Sequence, residues 1–262
     1  MDTAQIVKTA HEMADAARKA ALPFFRSDGL IAENKDGTGF DPVTEADKAV
    51  ERAMRDVLAE HRPHDGIYGE EYGRKTGKSG LTWVLDPIDG TRAFLAGVPC
   101  WGVLIAVSDE TGPIYGIIDQ PYIGERFEGG FGISKMIEPR GARKLACRGD
   151  RALEESILFT TFPEVGNQIE REAFLAVSEH VKMTRYGIDC YAYALVASGQ
   201  VDLVIEAGLN SYDIQAPIAV IQAAGGFVTD WAGDSACQGG QVIAAAGKRQ
   251  HEASLEILSR FL

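Results

Sequence analysis

The stretch WVLDPIDGTRAF, residues 83–94, places two aspartates three positions apart around a proline. Its apolar start predicts a strand that delivers Asp86 at the carboxyl end, where α/β sites commonly lie. We expect Pro87 to end this strand, so that Asp86, the Ile88 carbonyl and Asp89 face one point. Carboxylate and carbonyl oxygens are hard ligands of the kind that magnesium prefers. Two carboxylates this close repel each other unless a cation lies between them, and the stretch therefore predicts a metal site.

The Gly-Thr pair that follows adds features of a phosphate site. Gly90 lets a backbone approach a ligand closely, and the amides of Gly90 and Thr91 can open a helix and receive a phosphate. The Thr91 hydroxyl is available to orient a water molecule. The ordinary alternative for the motif is an Asx-type turn after a strand, with no ligand.

Composition limits the classes of protein to which the chain can belong. The 262 residues are 45% hydrophobic and 24% charged, which is typical of a globular protein with one large domain or two lobes that share a core. A net charge of −12 without a basic stripe argues against nucleic acid as a partner. No apolar run approaches the roughly 20 residues of a membrane span, and the amphipathic N-terminus is unlike a signal peptide. We therefore expect a cytoplasmic protein with no membrane partner.

Predicted helices and strands alternate along the chain, with runs of consecutive strands between them. Periodicity and capping residues predict helices at 3–25, 45–61, 167–181, 190–199, 212–226 and 251–261. Strands are predicted at 81–86, 101–109, 112–121, 126–136, 155–162, 182–188, 201–208 and 240–246. This order favours layered elements of the α+β class over a regular doubly wound sheet.

Three further acidic segments lie where a loop meets a helix or a strand. Glu70 and Glu71 stand between glycines just before the strand, Asp47 begins a helix after Thr44, and Asp213 begins another helix. Each has an ordinary explanation, namely a solvated pair, a first-turn residue that favours the helix dipole, and a helix cap. With the stretch that contains Asp86 and Asp89, the sequence has four such acidic segments. Four of them together fit a multi-metal site better than four coincidences do.

Other hydrolytic and phosphate-binding motifs are absent from the sequence or wrongly spaced. GRKTGKSG, residues 73–80, encloses three residues where a P-loop needs four, and a strand follows it in place of a helix. Neither HExxH nor GxSxG occurs. We therefore interpret residues 73–80 as a surface loop and not as a nucleotide site.

The combined motifs resemble those of the inositol monophosphatase family of magnesium-dependent phosphatases. The resemblance rests on GEE at 69–71, DPIDGT at 86–91, and an aromatic residue before Asp213 followed by AAGG at 223–226. It extends over nearly the whole chain, from VTEAD to QAAGG. It implies a layered αβαβα sandwich, one domain over 1–262 with lobes at approximately 1–145 and 146–262, and a homodimer. It also implies two or three Mg²⁺ ions as cofactor and a small phosphorylated substrate.

The resemblance carries roles to matching positions. It implies that the metal ligands are Glu70, Asp86, the Ile88 carbonyl, Asp89 and Asp213. It implies that Asp47 and Thr91 act on the attacking water with Glu70, and that the Gly90 and Thr91 amides bind phosphate. Tyr212 departs from the pattern, since many members have tryptophan there, and this change is expected to reshape the pocket without removing the metal site.

Within the family, the run Asp189-Cys190-Tyr191 resembles the histidinol-phosphatase branch. The resemblance implies that Asp189 meets the amine of the substrate and that Glu206 and Arg92 are further substrate contacts. The reaction would be L-histidinol phosphate plus water to L-histidinol and phosphate, in histidine biosynthesis. The alternative for Asp189 is a helix N-cap.

Two other functions compete with this one. The first is an inositol-1-monophosphatase or another phosphatase of small phosphomonoesters, with the same site and a different substrate. The second is a metal-binding regulatory protein whose catalytic site has decayed. The complete set of carboxylates argues against decay, because a decayed site is expected to have lost ligands.

Overall fold

The computed structural model describes residues 1–27, 32–34 and 42–262, with the backbone alone at 32–34, 42 and 43. In these ranges the α-helices are α1 (Thr3–Ala21), α2 (Glu45–His61), α3 (Thr91–Leu95), α4 (Gln168–Ser178), α5 (Tyr191–Ala197), α6 (Ser211–Ala223) and α7 (Lys248–Leu258). Short 3₁₀ helices lie at Leu153–Glu155 and Ser259–Phe261. None of these helices combines the length and the apolar character that crossing a bilayer requires.

The strands form two large sheets and one hairpin. They are β1 (Ala32–Asn34), β2 (Pro42–Thr44), β3 (Gly66–Gly69), β4 (Gly73–Lys75), β5 (Thr82–Asp89), β6 (Gly102–Asp109), β7 (Gly112–Gln120), β8 (Glu125–Gly130), β9 (Ile133–Glu138), β10 (Gly141–Lys144), β11 (Ile157–Thr160), β12 (Met183–Tyr186), β13 (Leu203–Leu209), β14 (Phe227–Thr229) and β15 (Gly240–Ala245). The larger sheet has the order β10-β9-β8-β7-β6-β5-β3-β4, and the smaller has the order β12-β11-β13-β15-β14. Strands β1 and β2 pair with each other.

Three apolar cores lie between successive layers of helices and sheets. The first joins α1 and α2 to one face of the larger sheet. The second contains α5 and α6, together with residues of both sheets, and so lies between the sheets. The third joins α4 and α7 to the outer face of the smaller sheet. The order of layers is therefore αβαβα, which confirms the predicted fold class. The division into lobes near residue 145 stays a prediction.

Helix α1 shows how the sequence pattern produces this packing. Ile6, Ala10, Met13 and Ala17 recur at helical spacing and are fully buried against the larger sheet. The prediction of a helix to residue 25 was wrong at its end, since α1 stops at Ala21. Pro23 lacks the amide proton that would continue the ladder of hydrogen bonds, and the chain continues as turns.

The β predictions also need two corrections. Pro87 does not end β5, which continues to Asp89 with a shift of register against β6 between Asp86 and Asp89. The region predicted as one stretch at 126–136 is a hairpin of β8 and β9. Phe131 and Gly132, both at positive φ, make the two-residue turn between them.

Candidate active site

The irregular end of β5 positions the first two carboxylates. The register shift between Asp86 and Asp89 interrupts the regular alternation of side chains at this point of the strand. The Ile88 amide donates to Asp86 Oδ1 at 3.1 Å, so the Asx-type turn that was the ordinary alternative is present. The turn and the predicted metal site therefore coexist, because the turn fixes the carboxylate that the site needs.

Asp213 completes a group of three carboxylates. It lies in the first turn of α6, where the Asn210 amide donates to Asp213 Oδ2 at 2.6 Å. Ligand oxygens of Asp86, Asp89 and Asp213 all lie within 4.8 Å of one another. The capping interaction thus holds the side chain in place at the cluster, as the Asx turn does for Asp86.

Burial makes this cluster electrostatically costly without a cation. Burial, followed by the charges of Glu70, Asp89 and Asp213, raises the pKa of Asp86 well above its usual range. Burial and then the charge of Asp89 do the same for the pKa of Asp213. Burial and then the charge of Asp189 raise the pKa of Asp89 to about 7. Hard oxygen ligands under mutual repulsion fit a divalent cation such as Mg²⁺, whose charge removes the repulsion.

Thr91 and Asp47 form a pair beside this cluster. Thr91 opens α3, and its hydroxyl lies 3.4 Å from Asp47 Oδ1 and 3.1 Å from the Ile88 carbonyl oxygen. Asp47 Oδ2 accepts from the Thr44 amide at 2.8 Å, which closes a capping box at the start of α2. Asp47 is almost fully buried, and its charge is one of the causes that raise the pKa of Asp86.

A cleft about 310 Å³ in volume, the metal cleft, brings most of the predicted residues together. Those that line it are Glu70, Asp86, Ile88, Asp89, Gly90, Thr91, Arg92, Asp189, Glu206 and Asp213. Glu70 lies outside the group of three carboxylates in the 4.8 Å cluster, although its charge raises the pKa of Asp86. Asp47 does not line the cleft.

Asp189 lies over Gly90 in the wall of the metal cleft. A Cβ on Gly90 would come within 2.8 Å of Asp189 Cγ, so this approach requires glycine, which also adopts φ +85° there. The Cys100 thiol donates to Asp189 Oδ2 at 3.3 Å. Burial raises the pKa of Asp189. The alternative that Asp189 caps a helix was wrong, because Cys190 is the N-cap of α5 and its amide donates to Asp89 Oδ2 at 2.6 Å.

Glu206 closes the far side of the metal cleft. One of its oxygens, Oε1, accepts from the amide of Thr161 at 2.9 Å and from the hydroxyl of the same residue at 2.7 Å. Burial is the largest cause that raises the pKa of Glu206 to about 8. Phe162 follows in the same loop, and the guanidinium carbon of Arg92 lies 4.7 Å from its ring centroid.

Sequence reasoning missed Glu51, which holds the turn that carries Glu70. The Glu51 carboxylate is fully buried and accepts from the Glu71 amide at 2.6 Å, the Tyr72 amide at 3.2 Å and Arg55 Nε at 2.7 Å. A Cβ at position 69 would overlap this carboxylate, which explains the glycine before Glu70. The available signal was spacing, because Glu51 is four residues after Asp47 and therefore on the same face of α2.

The metal-free protein is expected to lose stability as the pH rises from about 5 to about 8. Carboxyl groups with raised pKa hold protons in the folded state that the unfolded chain releases near pH 4. Their stabilisation is therefore complete below about pH 4 and is lost as the pH passes the raised values, about 7 for Asp89. In chelator we expect Tm to be at least about 3 °C lower at pH 8 than at pH 5, the shift that ~1 kcal/mol produces in a chain of this size.

Calorimetry with and without saturating Mg²⁺ isolates the contribution of the cluster from that of other titrating groups. Mg²⁺ binds the charged carboxylates, so its stabilising effect is expected to grow over the same pH range. A Mg²⁺-induced increase in Tm that shrinks as the pH rises would contradict the assignment.

Comparisons with known proteins agree with this geometry. The profile of the inositol monophosphatase family matches residues 2–261. The bifunctional phosphatase IMPL2, chloroplastic, of Arabidopsis thaliana is 38% identical over 257 residues, which cover 94% of this chain and 72% of that protein. A histidinol-phosphatase of Mycobacterium tuberculosis is 35% identical over 209 residues, which cover 79% of this chain and 80% of the relative. A solved structure of an inositol monophosphatase from Zymomonas mobilis has a TM-score of 0.86 at 35% identity, with 99% of both chains covered.

The similarity covers both sheets and every segment that lines the metal cleft. Enzymes of this family are metal-dependent phosphatases of small phosphorylated substrates, and the acidic cluster fits that chemistry. On the match of the family profile, the relatives and the fold, the chain belongs to the inositol monophosphatase family.

Proposed function

We propose that the protein hydrolyses L-histidinol phosphate to L-histidinol and phosphate in histidine biosynthesis, as a homodimer. The observation that carries the substrate is Asp189, a half-buried acid in the wall of the metal cleft whose charge acts on Asp89. Histidinol phosphate has an ammonium group next to the phosphate ester, whereas inositol phosphate has only hydroxyl groups. An ammonium ion beside Asp189 relieves the repulsion between these two carboxylates. The relative named histidinol-phosphatase supports the same substrate.

We further propose that Asp86, Asp89 and Asp213, with Glu70 and the Ile88 carbonyl, hold two or three Mg²⁺ ions. When bound, Mg²⁺ supplies Lewis-acid polarisation of the phosphoryl group and neutralises its charge. The amides at the start of α3 donate to the phosphoryl oxygens and orient the ester.

Thr91 and Asp47 orient the attacking water in this proposal. The single proton of the Thr91 hydroxyl goes either to Asp47 Oδ1 or to the Ile88 carbonyl. The hydroxyl oxygen then accepts a hydrogen bond from the water and aims it at phosphorus. The water oxygen forms a new bond to phosphorus as the ester P–O bond breaks, and the proton that the water gives up is taken up by the leaving alkoxide, so the step ends with phosphate and an alcohol. Asp47, buried behind Thr91, is a positioning residue.

The substitution Asp189→Asn tests the substrate. A charge-assisted hydrogen bond to the ammonium group is worth roughly 1.5–3 kcal/mol. We therefore expect kcat/KM for histidinol phosphate to fall about 10- to 150-fold relative to kcat/KM for inositol 1-phosphate. The measurement is phosphate release from both substrates in wild type and variant.

Asp109→Asn is the matched control, because Asp109 also accepts a side-chain hydrogen bond, from Thr111, and does not line the metal cleft. Equal turnover of both substrates by the wild type favours the inositol phosphatase alternative. An equal loss for both substrates in Asp189→Asn assigns that residue a structural role. The absence of any Mg²⁺-dependent phosphate release over a panel of phosphomonoesters favours the decayed regulatory protein.

A further inference from the structure

A buried tyrosine hydroxyl near the metal cleft has no partner in the part of the chain that the structure describes. Tyr193 lies on α5, in the apolar core between the two sheets. Only 3% of the residue is exposed, and its hydroxyl oxygen is buried without a hydrogen bond from or to any described residue. Buried polar atoms are normally paired, because an unpaired one destabilises the fold. For stability alone, phenylalanine would therefore be the better residue at this position.

The position of Tyr193 on α5 directs its side chain toward the carboxylates. The N-cap of this helix, Cys190, donates its amide to Asp89 Oδ2 at 2.6 Å, so α5 begins at the metal cleft. Tyr193 follows Cys190 by three residues and lies on the same face of the helix. Helical side chains lean toward the N-terminus of their helix, which here is the end at the cleft. Helix α5 also packs on α6 and β13, the elements that contain Asp213 and Glu206.

The charges that act on the Tyr193 hydroxyl are those of the metal cleft. Burial, followed by the charges of Glu206, Asp89 and Asp213, raises the pKa of Tyr193 well above its usual range. The phenol therefore keeps its proton near neutral pH, and its O–H group is available as a hydrogen-bond donor. Two of the three acids, Asp89 and Asp213, belong to the cluster of carboxylates. An uncharged donor is thus buried beside charged acceptors that it does not contact in the metal-free protein.

We propose that Tyr193 is a positioning residue of the metal site, whose hydroxyl donates to the carboxylate of Asp89 or Asp213 when Mg²⁺ is bound. A donor behind a metal-ligating carboxylate fixes its orientation, and the loss of such a donor typically weakens metal binding 10- to 100-fold. The cost of the unpaired hydroxyl in the metal-free protein is then offset in the metal-bound protein. The inference rests on the metal site of the proposed function and adds a residue that contacts neither substrate nor metal.

The substitution Tyr193→Phe removes the hydroxyl and keeps the ring, and we expect it to change two quantities in opposite directions. The Kd for Mg²⁺ should rise by about 10-fold or more, because a carboxylate ligand loses its donor. Tm in excess chelator should not fall and is expected to rise, because the variant lacks an unpaired buried group. Titration calorimetry of the chelator-treated protein gives the Kd, and scanning calorimetry in chelator gives Tm. A hydroxyl with a structural role alone would lower Tm and leave the Kd unchanged.

Tyr115→Phe is the matched control, because it makes the same chemical change at a second buried tyrosine. Tyr115 is fully buried in the core between the larger sheet and the helices α1 and α2, and it does not line the metal cleft. Its hydroxyl donates to Glu128 at 2.7 Å. The control is therefore expected to lower Tm in chelator, since it leaves a buried acceptor without its donor. Its Kd for Mg²⁺ should stay within about 2-fold of the wild-type value.

The outcomes separate this inference from the proposed function. If the wild type binds no Mg²⁺, the metal site itself is overturned, and the role of Tyr193 with it. If the wild type binds Mg²⁺ and Tyr193→Phe binds it equally well, only the role of Tyr193 is overturned. A lower Tm of Tyr193→Phe in chelator also overturns that role, because the hydroxyl would then already be paired in the metal-free protein. A raised Kd together with an undiminished Tm supports it.

Discussion

Chelation of divalent metal is expected to reduce phosphate release by at least about 1,000-fold, and added Mg²⁺ to restore it. The reason lies in the metal cleft, where Asp86, Asp89 and Asp213 have oxygens within 4.8 Å of one another and Glu70 lines the same wall. A phosphate monoester is itself an anion, so without a cation the cleft repels its own substrate.

The experiment measures phosphate release in excess chelator, after removal of the chelator, and after addition of Mg²⁺. Circular dichroism at each stage shows whether the fold persists, because loss of structure would also abolish turnover. Ca²⁺ is a useful second ion, because its flexible coordination with longer bonds differs from the octahedral geometry of Mg²⁺. Undiminished turnover in excess chelator would exclude the metal-dependent reaction.

The second large effect is expected at Glu70 and Thr91, two of the three residues that the family resemblance assigns to the attacking water. Glu70→Gln and Thr91→Ala should each lower kcat by at least about 100-fold, the scale of losing a group that activates or orients a nucleophile. Thr91→Ala removes the hydroxyl that lies within reach of both Asp47 and the Ile88 carbonyl. Glu70→Gln keeps the shape of the side chain and removes its charge.

Two matched variants distinguish this effect from general disturbance. Glu71→Gln changes the neighbouring acid, which does not line the metal cleft. Thr111→Ala removes a hydroxyl that donates to Asp109, and neither residue lines the metal cleft. Both controls should retain kcat within about 3-fold, and all four proteins should have similar Tm. A normal kcat in Glu70→Gln and Thr91→Ala would remove these residues from the mechanism.

The sequence predicted the long elements and the acidic residues of the metal cleft for clear physical reasons. Helix α4 has both the Asn167 cap and an apolar face, and β6 is a continuous apolar run. The strands that were missed, such as β3, β10 and β14, have three or four residues each, too few to show a periodicity. The prediction that Pro87 ends β5 was wrong because it used only the local rule that proline interrupts a strand. The irregular pairing of β5 with β6, which accommodates this proline, is a tertiary feature.

Residues that act through tertiary contacts were harder to predict than the motif residues. Thr161 and Phe162 belong to an ordinary loop after a strand in the sequence, and only the fold brings them beside Glu206. Asp86 and Asp213 of the cluster were found because their turn and capping motifs are local. Each side chain takes part in its local turn or cap and also in the cluster. The interpretation as a capping or turn residue and the interpretation as a metal ligand are therefore compatible.

Helix α2 has a consequence for anyone who transplants this cleft to another scaffold. Its Asp47 contacts Thr91, and its Glu51, one turn later, holds the backbone after Glu70. The helix thus works as a spacer that sets the separation of two segments 21 residues apart in the chain. Inserting one residue between positions 47 and 51 would rotate the second carboxylate by about 100° away from its turn. A graft of the DPIDGT loop alone would therefore bring the ligands but not the alignment of the water with the metal.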